Sequence, residues 1–97
     1  MPIYITLFNL TEKGIKNIKN APERIEEGIK TAELIGGKLI GFYATMGDYD
    51  YISIGEAPSD EVYMTYLLGL GAQGNTRTKT LKAFTKEEFG KMISKLP

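Results

Sequence analysis

The sequence predicts an α+β domain in which a four-stranded antiparallel sheet carries helices on one face. Segments of alternating apolar residues and segments of helical spacing follow one another in the order β-α-β-β-α-β. In the middle, two such alternating segments are joined through the turn residues Gly47-Asp48, which predicts a hairpin. A last amphipathic segment adds a C-terminal helix, with its apolar stripe at Phe89, Met92, Ile93 and Leu96.

The first half of the chain provides one strand and one helical crossover. Residues 2–10 alternate between aliphatic and aromatic or polar side chains, which predicts the first strand. Thr11 is a predicted N-cap for a short helix over residues 11–19. Pro22 suits the first turn of a second helix, and Gly36-Gly37 ends that helix with a left-handed C-cap.

Residues 38–57 form the predicted hairpin, with Gly47-Asp48 as a two-residue loop. This loop fixes the pairing, because each residue before it faces one residue after it. One face then carries the pairs Met46–Tyr49, Ala44–Tyr51 and Phe42–Ser53, and the other carries Thr45–Asp50, Tyr43–Ile52 and Gly41–Ile54.

The second half repeats the pattern of helix and strand. Ser59 is a predicted N-cap for a helix over residues 60–72, which is apolar on almost every side and is therefore expected to be covered all round. Gly74-Asn75 precedes a threonine-rich strand over residues 76–84. Thr85 and Glu88 have the spacing of a capping box at the start of the last helix.

The resulting element order is that of the ferredoxin-like arrangement, two split β-α-β units. We expect the helices to cover the aliphatic side chains Ile3, Ile5, Leu7, Leu39, Ile52, Ile54, Leu81 and Ala83. The opposite face is then predicted to carry Tyr4, Thr6, Phe8, Phe42, Ala44, Tyr51, Ser53, Thr78 and Thr80. A sheet face with this many aromatic side chains predicts a binding surface, which a second copy, a nucleic acid or a ligand would cover.

Composition excludes several classes of function. The 97 residues make one domain, residues 1–97, and 12 basic residues balance 12 acidic ones, which argues against a nucleic-acid partner. Cysteine and histidine are both absent, so we expect no disulfide, metal site or cofactor. No apolar run approaches the roughly 20 residues of a membrane span, and no signal-peptide pattern is present. We therefore expect a cytoplasmic protein without a membrane partner.

A group of short motifs identifies the chain as similar to a known family. The motifs are Gly47, Tyr49 and Asp50, Glu56-Ala57-Pro58, Asp60-Glu61, Gly71, Gly74-Asn75-Thr76-Arg77-Thr78, Thr80-Leu81 and Ala83-Phe84. Together they resemble the GYD domain family, with Asp48 inserted before the tyrosine and Thr76 in place of a valine. The resemblance implies a dimeric α/β barrel, and so a homodimer or higher homo-oligomer, but no reaction. Relatives in the wider group include cofactor-free monooxygenases, isomerases and haem-handling enzymes, which is an analogy of fold alone.

Candidate site residues lie on the aromatic face and at the hairpin tip. We predict a ligand pocket, either between helices and sheet or inside the barrel, lined by Tyr4, Phe8, Phe42, Tyr49, Tyr51 and Ser53, with Arg77 to bind an anion. Asp50 is the candidate catalytic base. Each has a structural alternative: a barrel core or dimer interface for the aromatic residues, an ion pair for Arg77, and a turn for Asp50.

Three functions follow from this pattern. The first is a binding or regulatory module for a small organic ligand. The second is a cofactor-independent enzyme of the isomerase or monooxygenase type, with Asp50 or a tyrosine as proton acceptor. The third is a structural or protein-interaction subunit without a ligand. The sequence leaves open whether the protein is an enzyme.

Overall fold

A computed structural model describes residues 1–97 and contains four strands and four α-helices. The strands are β1 (Ile3–Leu10), β2 (Lys38–Ala44), β3 (Tyr51–Glu56) and β4 (Thr76–Ala83). The helices are α1 (Glu12–Lys16), α2 (Ala21–Leu34), α3 (Asp60–Gln73) and α4 (Lys86–Ser94), with one 3₁₀ turn over Ile18–Asn20. None of the helices has the length and apolarity needed to cross a membrane.

The strands form one antiparallel sheet in the order β2-β3-β1-β4, with β1 and β3 in the centre. This order confirms the predicted ferredoxin-like α+β fold. The predicted hairpin register is also confirmed, because Ala44 pairs with Tyr51, Phe42 with Ser53, Tyr43 with Ile52, and Gly41 with Ile54.

The helix boundaries follow the predicted capping residues. The hydroxyls of Thr11 and Ser59 accept hydrogen bonds from the amides of Gly14 and Val62, at 3.1 and 3.2 Å. Thr85 and Glu88 form the complete capping box, and the hydrogen bond from the Thr85 amide holds the pKa of Glu88 below its ordinary value. These local signals mark the starts of α1, α3 and α4, whereas α2 begins without a side-chain cap and has Pro22 in its first turn.

The hairpin tip differs from the prediction. The connection spans residues 45–50 rather than two residues, although Gly47 has the expected positive φ of 106°. The reason lies in Asp50, whose amide donates to the Phe8 carbonyl and whose carboxylate accepts from the Leu10 amide, both at 2.8 Å. These bonds tie the end of the loop to β1, and Met46 does not pair with Tyr49 in the sheet.

The predicted assignment of the two sheet faces is wrong. The helices cover the aromatic and hydroxyl-bearing side chains, which we call the covered face: Tyr4, Thr6, Phe8, Leu39, Phe42, Tyr51, Ser53, Thr78 and Thr80. The alternate side chains, which are mostly aliphatic, point away from the helices and form what we call the open face: Ile3, Ile5, Leu7, Tyr43, Ile52, Ile54, Arg77, Lys79, Leu81 and Ala83. Leu39 alone keeps its predicted side, because a bulge at Ile40 shifts the register between Leu39 and Gly41.

The folded chain is thin and has little interior. Only 8 of 97 residues are buried, and the shortest dimension of the backbone is 18 Å, which is one sheet plus one layer of helices. Its accessible surface is 7034 Å², whereas a compact 10.8 kDa monomer exposes about 5,500 Å². Its radius of gyration is 14.9 Å against about 12.5 Å expected for this length. Roughly 1,500 Å² of surface is therefore in excess of what a compact monomer exposes.

Candidate functional site

A layer of tyrosines joins α3 to the centre of the sheet. The ring of Tyr63 stacks on that of Tyr4, with centroids 4.2 Å apart and planes 4° from parallel. The Tyr63 hydroxyl lies 2.5 Å from that of Thr6, which is fully buried and also contacts the Thr80 hydroxyl at 3.2 Å. A buried hydroxyl needs such a partner, so these contacts fix which side of α3 faces the sheet.

The carboxylate of Asp60 lies at one end of this tyrosine layer. The Tyr4 hydroxyl donates to Asp60 at 2.5 Å, and the Lys82 ammonium forms a 3.0 Å salt bridge with the same carboxylate. The hydrogen bond from Tyr4 and then that from Lys82 hold the pKa of Asp60 below its ordinary value. Burial, with a further contribution from Asp60, raises the pKa of Tyr4 to about 12, so the phenol stays protonated.

Beside the tyrosine layer, α2, α3 and the sheet enclose a cavity of about 100 Å³. The sheet contributes Phe8, Leu39, Phe42, Tyr51 and Ser53, and the helices contribute Ile25, Ile29, Ala32, Tyr63, Tyr66 and Leu70. Tyr66 bridges the helices, because its hydroxyl donates to the Gly28 carbonyl at 3.0 Å. Burial, and then the nearby Tyr63 phenol, raise the pKa of Tyr66 to about 12.

The chemistry of the cavity is mostly apolar and aromatic. The rings of Phe8, Phe42 and Tyr51 pack against one another, with centroids 5.3 to 6.4 Å apart. The side chains of Arg24, Lys38 and Glu56 supply the charges at its margin. Such a lining suits a small neutral molecule with an apolar or aromatic body. No group of three acidic side chains is placed to hold a metal ion.

The structure brings together four of the seven residues predicted to bind a ligand. Phe8, Phe42, Tyr51 and Ser53 all line the cavity, which is the predicted position between helices and sheet. Tyr4 is next to them but lies beneath Tyr63.

The remaining candidates lie elsewhere. Arg77 alternates with Thr76 and Thr78 and so projects from the open side of the sheet, where Lys79 lies 6.0 Å from the Tyr49 ring. The Asp50 carboxylate, the candidate base, accepts a hydrogen bond from the Leu10 amide at the end of β1, a structural contact outside the turn itself.

Sequence reasoning missed the helical half of the cavity. In the sequence, the helical spacing of Ile25, Ile29 and Ala32 indicates only a packed side of α2. Tyr66 and Leu70 do not stand out in an evenly apolar α3. One signal could have found the contribution of α3. A buried Tyr63 needs a partner for its hydroxyl, and the face with Thr6, Ser53 and Thr80 offers several side-chain hydroxyls along its strands.

The sequence pattern of the GYD domain matches residues 4–93, nearly the whole of this fold. The chain belongs to the GYD domain family. Among curated proteins, this GYD protein is similar to the "Glutamine synthetase and cystathionine beta-lyase binding protein" of Thermus thermophilus. The two are 33% identical over 84 residues, which cover 86% of this chain and 88% of the relative. No solved structure matches it.

Proposed function

We propose that this GYD protein is a protein-binding module and that glutamine synthetase is one of its partners. The observation that carries this proposal is the match along most of both chains to a relative named for binding that enzyme and cystathionine beta-lyase. The geometry supports it, because the chain exposes about 1,500 Å² more surface than a compact monomer of its mass. Part of the exposed surface is formed by large apolar side chains, among them Met64, Leu68, Leu81 and Phe89, and exposed apolar patches mark proteins that bind other proteins.

We infer that part of this surface binds a second copy of the chain. The open face is aliphatic along the two central strands, β1 and β3, and no helix of its own chain packs on it. Two such faces packed at about 10 Å would give a sheet-on-sheet core, which is how antiparallel sheets bury their second face. This dimer corresponds to the α/β barrel that the family resemblance implies, but it is lined by the aliphatic side chains rather than by the aromatic ones.

If the open face binds a second copy, the helical side of the molecule remains available to an enzyme partner. On α3, the side chains of Met64 and Leu68 lie one turn apart and are 63% and 64% exposed, while Tyr63 and Tyr66 point inwards. We propose that this strip of α3 contacts the enzyme. A methionine beside a leucine offers an adaptable apolar contact that tolerates more than one partner.

Binding of the purified protein to glutamine synthetase, measured by surface plasmon resonance, tests the proposal. The variant Met64→Ser/Leu68→Ser should weaken binding at least about tenfold, because it removes two apolar contacts. The matched control is Glu61→Ser/Thr65→Ser, which changes two exposed residues of the same helix and should bind as the unmodified protein does. Absence of binding to both glutamine synthetase and cystathionine beta-lyase would refute the proposal.

A second function is favoured by the cavity: binding of a small neutral organic molecule between α2, α3 and the sheet. Its support is the enclosed apolar lining, to which four of the residues selected from the sequence contribute. A ligand at this position would contact Tyr66, which bridges the two helices, and so would act on the helical side of the molecule.

Native mass spectrometry of the gently purified protein tests this second function, together with an NMR titration using indole as the probe. We expect a discrete extra mass, or indole-dependent shifts at Phe42 and Tyr51. Ala32→Phe should abolish both by filling the cavity, whereas Glu33→Phe, on the exposed side of α2, should not. A bare protein with no shifts under indole would exclude the cavity as a ligand site.

A further inference from the structure

The last helix, α4, lies apart from the body of the molecule. It begins at a complete capping box and carries the apolar side chains Phe89, Met92 and Ile93. Together with Leu96, which follows the end of the helix, they form what we call the C-terminal stripe. These four side chains are 59%, 43%, 49% and 66% exposed. No residue of α4 is buried, and no other helix or strand packs along it.

A helix in this position needs a partner. Isolated helices shorter than about 12–15 residues are marginal in water, and α4 has only 9 residues. Most of the stability of such a helix comes from packing of its apolar side. The capping box and the regular spacing of the stripe therefore indicate a helix that forms against another surface, which the single chain does not provide.

The size of the open face indicates what that surface is. Four strands of about seven residues span roughly 20 by 24 Å, so the sheet contributes about 450 Å² per chain. A standard interface buries about 800 Å² per partner, and the excess surface here is about 1,500 Å². A dimer built on the sheets alone would fall short of the standard interface size.

The C-terminal stripe supplies the missing area. A helix of 9 residues is about 14 Å long, and its apolar half covers about 200 Å². Under two-fold symmetry each chain gains this area twice, once on its own α4 and once where it receives the other α4. The total then reaches about 850 Å² per chain, which is the size of a standard interface.

We propose that α4 is an exchanged arm, whose C-terminal stripe packs on the second copy of the chain while that copy's α4 packs on the first. This inference rests on the proposed sheet-to-sheet dimer and adds a second contact to it. The mixed charges of the polar side, Lys86, Glu87, Glu88, Lys91 and Lys95, suit a chain with no net charge that binds its own copy.

Sedimentation equilibrium over a dilution series tests the arm. Phe89→Ser/Ile93→Ser should raise the dimer dissociation constant at least about 100-fold, because it removes two large apolar contacts from each arm. Glu87→Ser/Lys91→Ser, with the same replacement on the polar side of α4, should change it by less than about threefold. Both variants alter exposed residues, so the fold of the single chain is expected to be unaffected.

An isotope-filtered NOE experiment gives an independent readout. In a mixed dimer of one ¹³C-labelled and one unlabelled chain, the methyl groups of Met92 and Ile93 should show contacts to the other chain. A stripe variant that dimerises like the unmodified protein, or methyl contacts confined to one chain, would overturn the exchanged arm. If Ile52→Glu on the open face still abolishes dimerisation in that case, the sheet-to-sheet dimer stands. A protein that is monomeric at every concentration would refute both the exchanged arm and the sheet-to-sheet dimer.

Discussion

The two faces of the sheet differ in a way that reverses the usual expectation. The covered face is mixed, with the buried hydroxyls of Thr6 and Ser53 between the rings of Tyr4 and Phe8. The open face is aliphatic along the central strands β1 and β3 and has Tyr43, Arg77 and Lys79 on its outer strands, yet no helix covers it. Hydrophobicity alone therefore does not decide which face of a sheet receives its own helices.

The difference is explained by what each face offers to a helix. The covered face offers the buried hydroxyl of Thr6, which pairs with that of Tyr63 on α3, and unpaired buried hydroxyls are costly enough to fix the position of a helix. The open face offers only area, which any complementary apolar surface can use. The covered face, whose hydrogen bonds have a direction, is thus matched to a helix of the same chain. The open face, whose apolar contacts have none, suits a second copy. The following variants test this contrast.

The largest effect is expected at Tyr63, the centre of the covered face. Tyr63→Ala removes the ring stacked on Tyr4 and the hydroxyl beside Thr6, and should lower the free energy of unfolding by about 3–5 kcal/mol. Leu81→Ala, on the open face, should cost less than about 1 kcal/mol. Urea denaturation of both variants in an Ile52→Glu background excludes any contribution from association. Equal losses would mean that the two faces support the single chain alike.

Neighbouring residues on β3 should respond differently to the same charge. Tyr51→Glu places a carboxylate against Phe8 and Phe42 and should destabilise the single chain by about 2 kcal/mol or more. Ile52→Glu, on the open face, should leave the chain folded but monomeric. Circular dichroism melts and sedimentation velocity separate these outcomes. A folded, monomeric Tyr51→Glu protein beside an unfolded Ile52→Glu protein would restore the opposite assignment of the faces.

A smaller loss is expected from Thr6→Val, which keeps the shape of the side chain and removes only its hydroxyl. The Tyr63 hydroxyl would then be buried without that partner, at a cost of about 1–3 kcal/mol in the free energy of unfolding. In Thr6→Val/Tyr63→Phe, where both hydroxyls are gone, part of this loss should be recovered. Chemical denaturation of the two variants measures the coupling, and additive losses would argue against a hydrogen bond between them.

The smallest effect is expected at Asp60, whose contribution to stability depends on pH. Because the pKa of Asp60 is lower in the folded chain than in the unfolded one, its stabilisation is present above the ordinary pKa of about 4 and is lost as the pH falls through the folded-state value. Asp60→Asn should therefore melt below the unmodified protein at pH 7, and the difference should shrink below pH 4. Glu61→Gln, one residue later on the same helix turn, is the control for a general charge effect. A difference that persists unchanged at low pH would contradict this role.

Much of the fold could be predicted because its signals are local. The caps at Thr11, Ser59 and Thr85, and the glycine at position 36, mark element ends through bonds within a few residues. The hairpin register was predicted correctly even though its tip was not. The tip depends on Asp50 reaching β1, about 40 residues earlier, which no local pattern reports.

The assignment of the faces could not be derived from alternation. A period of two separates odd from even positions in a strand but does not say which set meets the helices. When both sets are apolar, the choice depends on contacts between distant segments, here the bonds of α3 to Thr6. The bulge at Ile40 then moves Leu39 to the other side, again without a local signal. The sheet half of the cavity could be predicted because alternation puts its aromatic residues on one face, whether or not that face meets the helices.

The position of β1 in the centre of the sheet also affects how the chain is made. Thr6 pairs with Ser53 and Thr80, and the second partner is 74 residues later. At about 5–20 residues per second, a growing chain exposes the Ile-rich β1 for roughly 4–15 s before β4 exists. Contacts of such long range also slow folding itself. The newly synthesised protein therefore passes through a period in which an apolar strand has at least one unpaired edge, which favours aggregation until the sheet closes.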